Sequence, residues 1–268
     1  MTTSKSDLNG QFKGLSLDDG GDDEAEQADP ESLSDAGSTT TPPMAKKTDG
    51  GVILETVPHV KQSYHWDCGI ACVKMVLGYF GRKLNDLDRV CADLDFKESV
   101  WTIDLAYILE HYGVKCQMYT VTLGVDPGYS KERYYTKLFT VDECRVTELF
   151  NGATRRGVRV DKRSVRIKEI VDHLSQRDLV ILLIDWSHMS CVWCDAHSCG
   201  LCGIKSCHRC TGTYQGHFIV LCGYDKSKGL VFYRDPSMSK RICACRYSTL
   251  NNARLQYGTD EDIIFIYK

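Results

Sequence analysis

The sequence predicts an α+β fold, because segments with helical periodicity fill its first half and strand-like runs fill its second half. Its 268 residues are 43% hydrophobic and 10% aromatic, which is enough apolar material to bury a core. No run of about 18 apolar residues occurs in it. We therefore expect a globular chain in which N-terminal helices pack on an antiparallel sheet.

The first 50 residues differ in composition from the rest. They hold eleven Asp or Glu against four Lys or Arg, and Ser, Thr, Gly and Pro fill most of the remainder. A segment of that composition cannot bury enough apolar surface to fold. We expect residues 1–50 to form a disordered acidic tail, followed by one folded domain over 51–268.

Three helices are predicted in the first half of that domain. Apolar residues recur at helical spacing from Gly69 to Phe80, and Gly81 ends this helix. The same periodicity predicts helices over 84–94 and 103–112. Cys68 then lies at the N-terminus of the first helix.

The second half of the domain supplies one more helix and four strand-like runs. The apolar face of 167–174 predicts the helix. The strands are short apolar runs bounded by turn residues, at 179–184, 217–221, 230–233 and 263–267. The turn residues between the second and third of these runs predict an antiparallel hairpin.

Cys68 is the candidate nucleophile. A thiol attacks as the thiolate, and the unpaired amides and dipole of a helix N-terminus favour that anion. Gln62, six residues earlier on the incoming segment, can present its side-chain amide to the oxyanion that forms on attack. A lone cysteine at a helix start is more often a small buried apolar residue, so the assignment depends on its partners.

His217 and Asp235 are the predicted partners of Cys68. His217 begins an apolar strand and is assigned as the base. Asp235 ends the next strand, and antiparallel pairing places it at the same end of the sheet as His217. The pattern predicts a Cys-His-Asp site in which Asp235 orients the imidazole. The alternative for Asp235 is a turn carboxylate before Pro236.

A cysteine-rich insert over 186–213 lies just before the strand of His217. It contains three Cys-x-x-Cys pairs, namely Cys191 and Cys194, Cys199 and Cys202, and Cys207 and Cys210. Each pair can hold one edge of a tetrahedral Zn²⁺, and two pairs would complete a structural site. The four-residue gaps weaken the match, because such motifs usually separate their pairs by about 12 residues or more. A disulfide-bonded or redox-active segment, or free thiols, are the alternatives.

These motifs together resemble two known families. Gln-Ser-Tyr-His-Trp-Asp-Cys-Gly at 62–69, with Gly-His-Phe-Ile-Val at 216–220 and Asp-Pro at 235–236, resembles the C39-type branch of papain-like cysteine peptidases. The Asp-Cys-Gly core, the cysteine-rich insert, and Tyr-Gly-Thr-Asp-Glu-Asp-Ile at 257–263 more narrowly resemble the guanylyl-cyclase-domain-containing protein family. That family is related to plant proteins described as soluble guanylyl cyclases.

The two resemblances imply different chemistry. The first implies a papain-like fold and thiol-dependent amide hydrolysis, which requires no cofactor, whereas the second implies formation of cyclic GMP from GTP. Cyclisation needs divalent metal on the triphosphate, and the sequence has no Gly-x-x-x-x-Gly-Lys-Ser/Thr loop and no carboxylate spacing that marks a metal pair. We expect a hydrolase, with a guanylyl cyclase and a non-catalytic adaptor as alternatives.

The charge and the cysteine content of the sequence limit which partners and which cellular compartment are expected. A net charge of -3 gives no basic surface for nucleic acid or an anionic membrane, so neither is expected as a partner. A peptide or protein substrate is expected, and the acidic tail and the insert are candidate sites for protein partners. Because no signal-peptide pattern is visible, the sequence predicts a cytoplasmic or nuclear protein, where paired cysteines more often bind metal than form disulfides.

Overall fold

Alternate residues of the central strands enter two different apolar cores. A computed structural model describes residues 46–48, 50–95, 98–126, 139–197, 214–238 and 241–268. Ile181 and Val220 belong to the core on one face of the sheet, whereas their neighbours Leu182 and Leu221 belong to the core on the other face. Side chains alternate between the faces of a strand, so a strand of nearly continuous apolar residues must be covered on both sides.

Nine strands and seven α-helices form in the described residues. The strands are β1 (Lys46–Thr48), β2 (Gly51–Ile53), β3 (Cys116–Thr120), β4 (Val160–Lys162), β5 (Leu179–Asp185), β6 (Gly216–Asp225), β7 (Leu230–Arg234), β8 (Cys243–Arg246) and β9 (Ile263–Ile266). The helices are α1 (Cys68–Tyr79), α2 (Leu87–Asp93), α3 (Thr102–His111), α4 (Phe139–Gly152), α5 (Ile167–Ser175), α6 (Val192–His197) and α7 (Tyr247–Arg254). The prediction of an α+β chain is confirmed.

All nine strands join one sheet in the order β1-β2-β6-β5-β9-β3-β4, and β7 pairs with both β6 and β8. Every pairing is antiparallel except that of β3 with β4. The hairpin between β6 and β7 has the predicted pairing, from Asp225 opposite Leu230 to Val220 opposite Arg234. It brings the start of β6 close to the residue that follows β7.

Helices cover both faces of the sheet. α1 packs on β6 and on α3, and α3 also contacts β3 and α4. Apolar residues of α5 and α7 belong to the second core, on the opposite face. The expected packing of N-terminal helices on the sheet is present, and the later helices complete a second layer.

A buried ion pair joins α3 to α4. Arg145 Nη1 and Nη2 donate to the two carboxylate oxygens of Asp104 at 2.5 and 3.2 Å. The same guanidinium donates to the carbonyl oxygens of Leu94 and Ser99 at 3.3 and 3.2 Å. Burial raises the pKa of Asp104 to about 6, even against the two bonds from Arg145. Arg145 is therefore the main compensation for a carboxylate that has no exposure to solvent.

Two predicted segments lie largely outside the described residues. Of the acidic tail predicted over 1–50, only 46–48 and Gly50 are described, and 46–48 form strand β1. Of the cysteine-rich insert, 198–213 lie outside. In the part of the chain that the structure describes, no helix has the length and apolar character needed to span a bilayer.

Candidate active site

Cys68 is the first residue of α1, and it is buried. Asp67 holds the preceding turn, because its carboxylate accepts the backbone amides of Ser63 and Tyr64, both at 3.0 Å. No side-chain bond from Asp67 caps the helix, which differs from the usual role of an aspartate at this position. The carboxylate instead stabilises the loop that precedes Cys68.

His217 and Asp235 meet at one end of the β6–β7 hairpin. His217 Nε2 lies 2.8 Å from Asp235 Oδ1. The backbone N–H and the hydroxyl of Ser237 donate to the same oxygen at 2.9 and 2.8 Å. Burial raises the pKa of Asp235, but the bonds from His217 and Ser237 outweigh it and lower the pKa below its ordinary value. Asp235 is thus held as a buried carboxylate against the imidazole.

The charge of the imidazole depends on both of its neighbours. Burial lowers the pKa of His217, but hydrogen bonds with Asp235 and with the Cys68 thiol outweigh burial and raise the pKa to about 9. The ring is therefore an imidazolium at neutral pH. The site therefore holds a cationic ring and a buried carboxylate beside the Cys68 side chain.

Trp186 covers the imidazole, although the sequence analysis did not select it. It follows β5 directly, and its ring centroid lies 5.0 Å from that of His217 in an edge-on arrangement. The pairing of β5 with β6 places Ile184 opposite His217, which brings the next turn of chain over the ring. The signal available in the sequence was a tryptophan just after the apolar run 179–184.

Gln62 lies beside the Asp235 turn. Its backbone N–H donates to the Pro236 carbonyl at 2.9 Å, so the incoming loop is attached to the residue after Asp235. The side-chain Nε2 donates to the Tyr64 carbonyl at 2.7 Å, and Oε1 is buried with no hydrogen-bond partner. An amide nitrogen has two hydrogens, so one remains for an oxyanion. The catalytic roles of Gln62, Cys68, His217 and Asp235 stay predictions.

A cleft of about 310 Å³ opens at Cys68. Four Trp, Tyr or Phe side chains line it, from Trp66, Trp101, Tyr214 and Phe218. Four carboxylates line it too, and no lysine or arginine is among the described lining residues. Part of this wall is the segment 257–263, to which the sequence analysis gave no chemical role. The carboxylates are Glu98, Asp142, Asp260 and Asp262.

A cluster of thiols lies at α6 and β8. The sulfurs of Cys191, Cys194 and Cys243 lie within 4.8 Å of one another, and they form a group that could hold a metal ion. Cys194 Sγ and Cys243 Sγ are 3.9 Å apart, which is too long for a disulfide. The first predicted zinc pair is thus brought together, with a third thiol from β8 that the sequence analysis missed. The other predicted ligands, Cys199, Cys202, Cys207 and Cys210, lie outside the described residues.

Comparison with known proteins identifies the family. A family model described as Guanylylate cyclase matches residues 57–266. Guanylyl cyclase 1 of Arabidopsis thaliana is 39% identical over 214 residues, which cover 78% of this chain and 75% of the plant protein. The chain belongs to the guanylylate cyclase family. The resemblance to this family, predicted from the motifs at 67–69 and 257–263, is therefore confirmed.

A solved structure also matches this guanylylate cyclase family chain. It is a protein of Bacillus anthracis described as a C39-like peptidase, with a TM-score of 0.48 and 16% sequence identity. The match covers 82% of this chain and 98% of the bacterial chain.

Proposed function

We propose that this protein is a thiol-dependent hydrolase that cleaves an amide bond through Cys68. The observation that carries the proposal is the 2.8 Å bond between His217 and the buried Asp235, on an imidazole whose pKa is also raised by the Cys68 thiol. A nucleophile, a base and a group that orients the base are the parts that covalent catalysis requires.

The chemistry follows from these positions. The Cys68 thiolate attacks the substrate carbonyl carbon to form a tetrahedral oxyanion, which the Cys68 backbone N–H and Gln62 stabilise. As the C–N bond breaks, the His217 imidazolium gives its proton to the leaving amine, and a thioester remains on Cys68. Water then attacks the thioester while His217 takes its proton, which releases the acid and restores the thiolate.

A brief pulse of iodoacetamide tests whether Cys68 is activated. At neutral pH we expect Cys68 to be alkylated about tenfold faster than the exposed Cys144, although Cys68 is buried, because its neighbouring imidazolium favours the thiolate. Peptide mapping by mass spectrometry measures both rates in one sample. The His217→Gln variant should lose this advantage, while Cys144 keeps its rate. Equal rates for the two cysteines in the wild type would contradict the proposed nucleophile.

A guanylyl cyclase is the second candidate, and the name of the plant relative favours it. The absence of lysine and arginine from the described lining residues opposes it, because no cationic side chain there would receive a triphosphate. The discriminating measurement is cyclic GMP formation from GTP with Mg²⁺ or Mn²⁺. Equal product from wild type and Cys68→Ala would support the cyclase, since the thiol has no step in that reaction.

The thiol cluster is proposed as a structural zinc site. Tetrahedral Zn²⁺ with Zn–S bonds of about 2.3 Å separates its sulfurs by about 3.8 Å. The 3.9 Å between Cys194 Sγ and Cys243 Sγ fits that value. Such an ion would join α6 to β8, with Cys191 as the third ligand.

Replacing Cys243 with serine is expected to remove about one equivalent of zinc per chain, because an alcohol is a far weaker zinc ligand than a thiolate. Metal content of the purified protein, measured by inductively coupled plasma mass spectrometry, gives the result. The matched control is Cys144→Ser, an exposed cysteine outside the cluster, which should keep the wild-type content. Unchanged zinc in Cys243→Ser would refute this site.

A further inference from the structure

Two buried polar side chains on the wall of the cleft have atoms without hydrogen bonds. Thr102 and Asp262 line the same cleft as Cys68, and they are only 1% and 7% exposed. Neither Thr102 Oγ1 nor Asp262 Oδ1 has a hydrogen-bond partner among the described residues. Buried polar atoms of folded proteins nearly always have such a partner. On the wall of a cleft, two such atoms indicate that their partner arrives with a ligand.

The Thr102 hydroxyl lies beside the carboxyl of Asp262. The hydroxyls of Thr102 and Thr120 both lower the pKa of Asp262, which places both of them near its side chain. Thr120 already donates its hydroxyl hydrogen to the carbonyl oxygen of Thr122 at 3.0 Å. Thr102 is therefore the neighbour whose hydroxyl hydrogen is available to a ligand at Asp262.

The sheet fixes how far this pair lies from the strand that carries His217. Phe218 of β6 pairs with Leu183 of β5, and the Leu183 N–H donates to the Asp262 carbonyl oxygen at 3.1 Å. Phe218, Leu183 and Asp262 all line the cleft. Neighbouring strands lie about 4.8 Å apart, so the backbone of Asp262 is about 10 Å from that of β6. A group bound at Asp262 therefore belongs to a different part of the substrate from the bond attacked by Cys68.

The backbone on both sides of the cleft is held in place. The Asp262 N–H donates to the Thr259 carbonyl oxygen at 2.9 Å. Thr102 is the first residue of α3, and the N–H of the preceding Trp101 donates to the Asp104 carboxylate at 2.8 Å. Polar groups held in this way are ready for a ligand, because binding does not have to order them.

The chemistry of the pair suits an uncharged amide. Burial, and then the charge of Asp260, raise the pKa of Asp262 to about 8, so its carboxyl is protonated at neutral pH. A protonated carboxyl offers one donor and one acceptor, and the hydroxyl of Thr102 offers one of each as well. A primary carboxamide has two N–H donors and a carbonyl acceptor, so it can satisfy both side chains at once.

We propose that Thr102 and Asp262 form a subsite for a primary carboxamide of the substrate. The amide N–H donates to Asp262 Oδ1, and the amide oxygen accepts the hydroxyl of Thr102. The inference rests on the proposed function, because the carboxamide belongs to the substrate whose amide bond Cys68 cleaves. Thr102 and Asp262 act on substrate choice and take no part in proton transfer at Cys68.

Three series of chloroacetamides test the proposal. Each series has a spacer of two to six methylenes, and the series end in a carboxamide, in a methyl ketone or in an isopropenyl group of nearly the same shape. The Cys68 thiolate displaces chloride from each probe, so peptide mapping gives a labelling rate. For at least one spacer we expect the carboxamide to label Cys68 about tenfold faster than the isopropenyl probe. The ketone should lie between them, because it accepts from Thr102 but has no N–H for Asp262.

Variants separate the two side chains, and ratios of rates cancel any change in the thiol itself. Asp262→Leu should bring the ratio of carboxamide to ketone close to one. Thr102→Val should do the same to the ratio of ketone to isopropenyl. The matched controls are Asp262→Asn and Thr102→Ser, which keep a neutral donor and acceptor in place and should stay within about twofold of the wild-type ratios. Loss of the ratio in Asp262→Asn would show that a carboxylate is required and would contradict the proposal.

Equal labelling by carboxamide and isopropenyl probes at every spacer length would show that the two atoms bind only water, and would overturn the proposal. Ratios that survive in both Asp262→Leu and Thr102→Val would also overturn it. The ratios are measurable even if Cys68 proves no faster than Cys144 toward iodoacetamide, so failure of the proposed hydrolase is distinguished from failure of the subsite. N-acetylglutamine methylamide and N-acetylglycinamide, compared at equal concentration as competitors of the carboxamide probe, distinguish a side-chain carboxamide from a C-terminal amide.

Discussion

Replacing Asp235 with asparagine is expected to lower the pKa of His217 well below its value of about 9. The carboxylate is the strongest influence that favours the imidazolium, and without it only the Cys68 thiol opposes the effect of burial on the ring. The measurement is an NMR titration of the histidine ring protons, with His217→Gln used to assign the resonance. A wild-type His217 that titrates below pH 7 would contradict the arrangement.

The Asp235→Asn substitution also changes how the folding stability depends on pH. The sign of that change follows from the raised pKa of His217. A histidine whose pKa is raised on folding contributes stability that is fully present below about pH 6.5 and is lost as the pH rises through about 9. At 1.36 kcal/mol per pKa unit, this contribution is about 3 kcal/mol in the wild type. Urea unfolding at pH 6 and pH 10 should therefore show a loss in the wild type that is smaller in Asp235→Asn.

Ser237→Ala is the matched control for this experiment. Ser237 donates to the same oxygen of Asp235 as His217 does, but its removal leaves the carboxylate charge in place. The titration of His217 should therefore stay close to pH 9 in Ser237→Ala. Comparing each variant with the wild type cancels the other groups that titrate over the same range, including the buried cysteines.

The candidate site was predictable where it depended on local pattern. The turn residues at 225–229 predict the hairpin, and antiparallel pairing of its two strands predicts that His217 lies near Asp235. The first helix was predicted to begin at Gly69, and it begins at Cys68. These features follow from the periodicity of apolar residues and from the residue types in turns. Both depend only on residues that are close together in the sequence.

Features that depend on distant contacts were not predictable. Cys243 is 49 residues from Cys194, and no spacing rule joins them, since their proximity comes from α6 packing on β8. Asp262 precedes an apolar strand and looks like an ordinary turn residue. Only the fold shows that its side chain is buried on the wall of the cleft.

The predicted boundaries of helices were wrong where polar side chains compete with the backbone for hydrogen bonds. The helix predicted over 84–94 begins at Leu87, because Asn85 and Asp86 form a turn before it. Asn and Asp favour turns and helix starts over helix interiors, so the apolar Leu84 misled the prediction. The helix α4 was missed altogether, because its polar residues leave only a weak apolar face.

Removing the charge of Arg145 is expected to cost more stability than any other substitution considered for this protein. Arg145→Met leaves the fully buried Asp104 without its cation, and loss of one partner of a buried ion pair typically costs about 3–5 kcal/mol. The guanidinium also donates to the carbonyl of Ser99, a residue that lines the cleft. The cost is measured by urea unfolding near pH 8, where Asp104 of the wild type is ionised.

The pH dependence of that cost separates charge from packing. The pKa of Asp104 is about 6 in the wild type and is higher in Arg145→Met, because the two bonds that lower it are gone, so the carboxyl of the variant is protonated at pH 5. The uncompensated charge then disappears, and the cost of Arg145→Met should be smaller at pH 5 than at pH 8. The double variant Asp104→Asn with Arg145→Met should regain much of the loss at pH 8, because an asparagine oxygen still accepts the Trp101 N–H that now bonds Asp104 at 2.8 Å. A cost that is equal at both pH values, with no recovery in the double variant, would show that Arg145 acts through its packed methylenes and not through its charge.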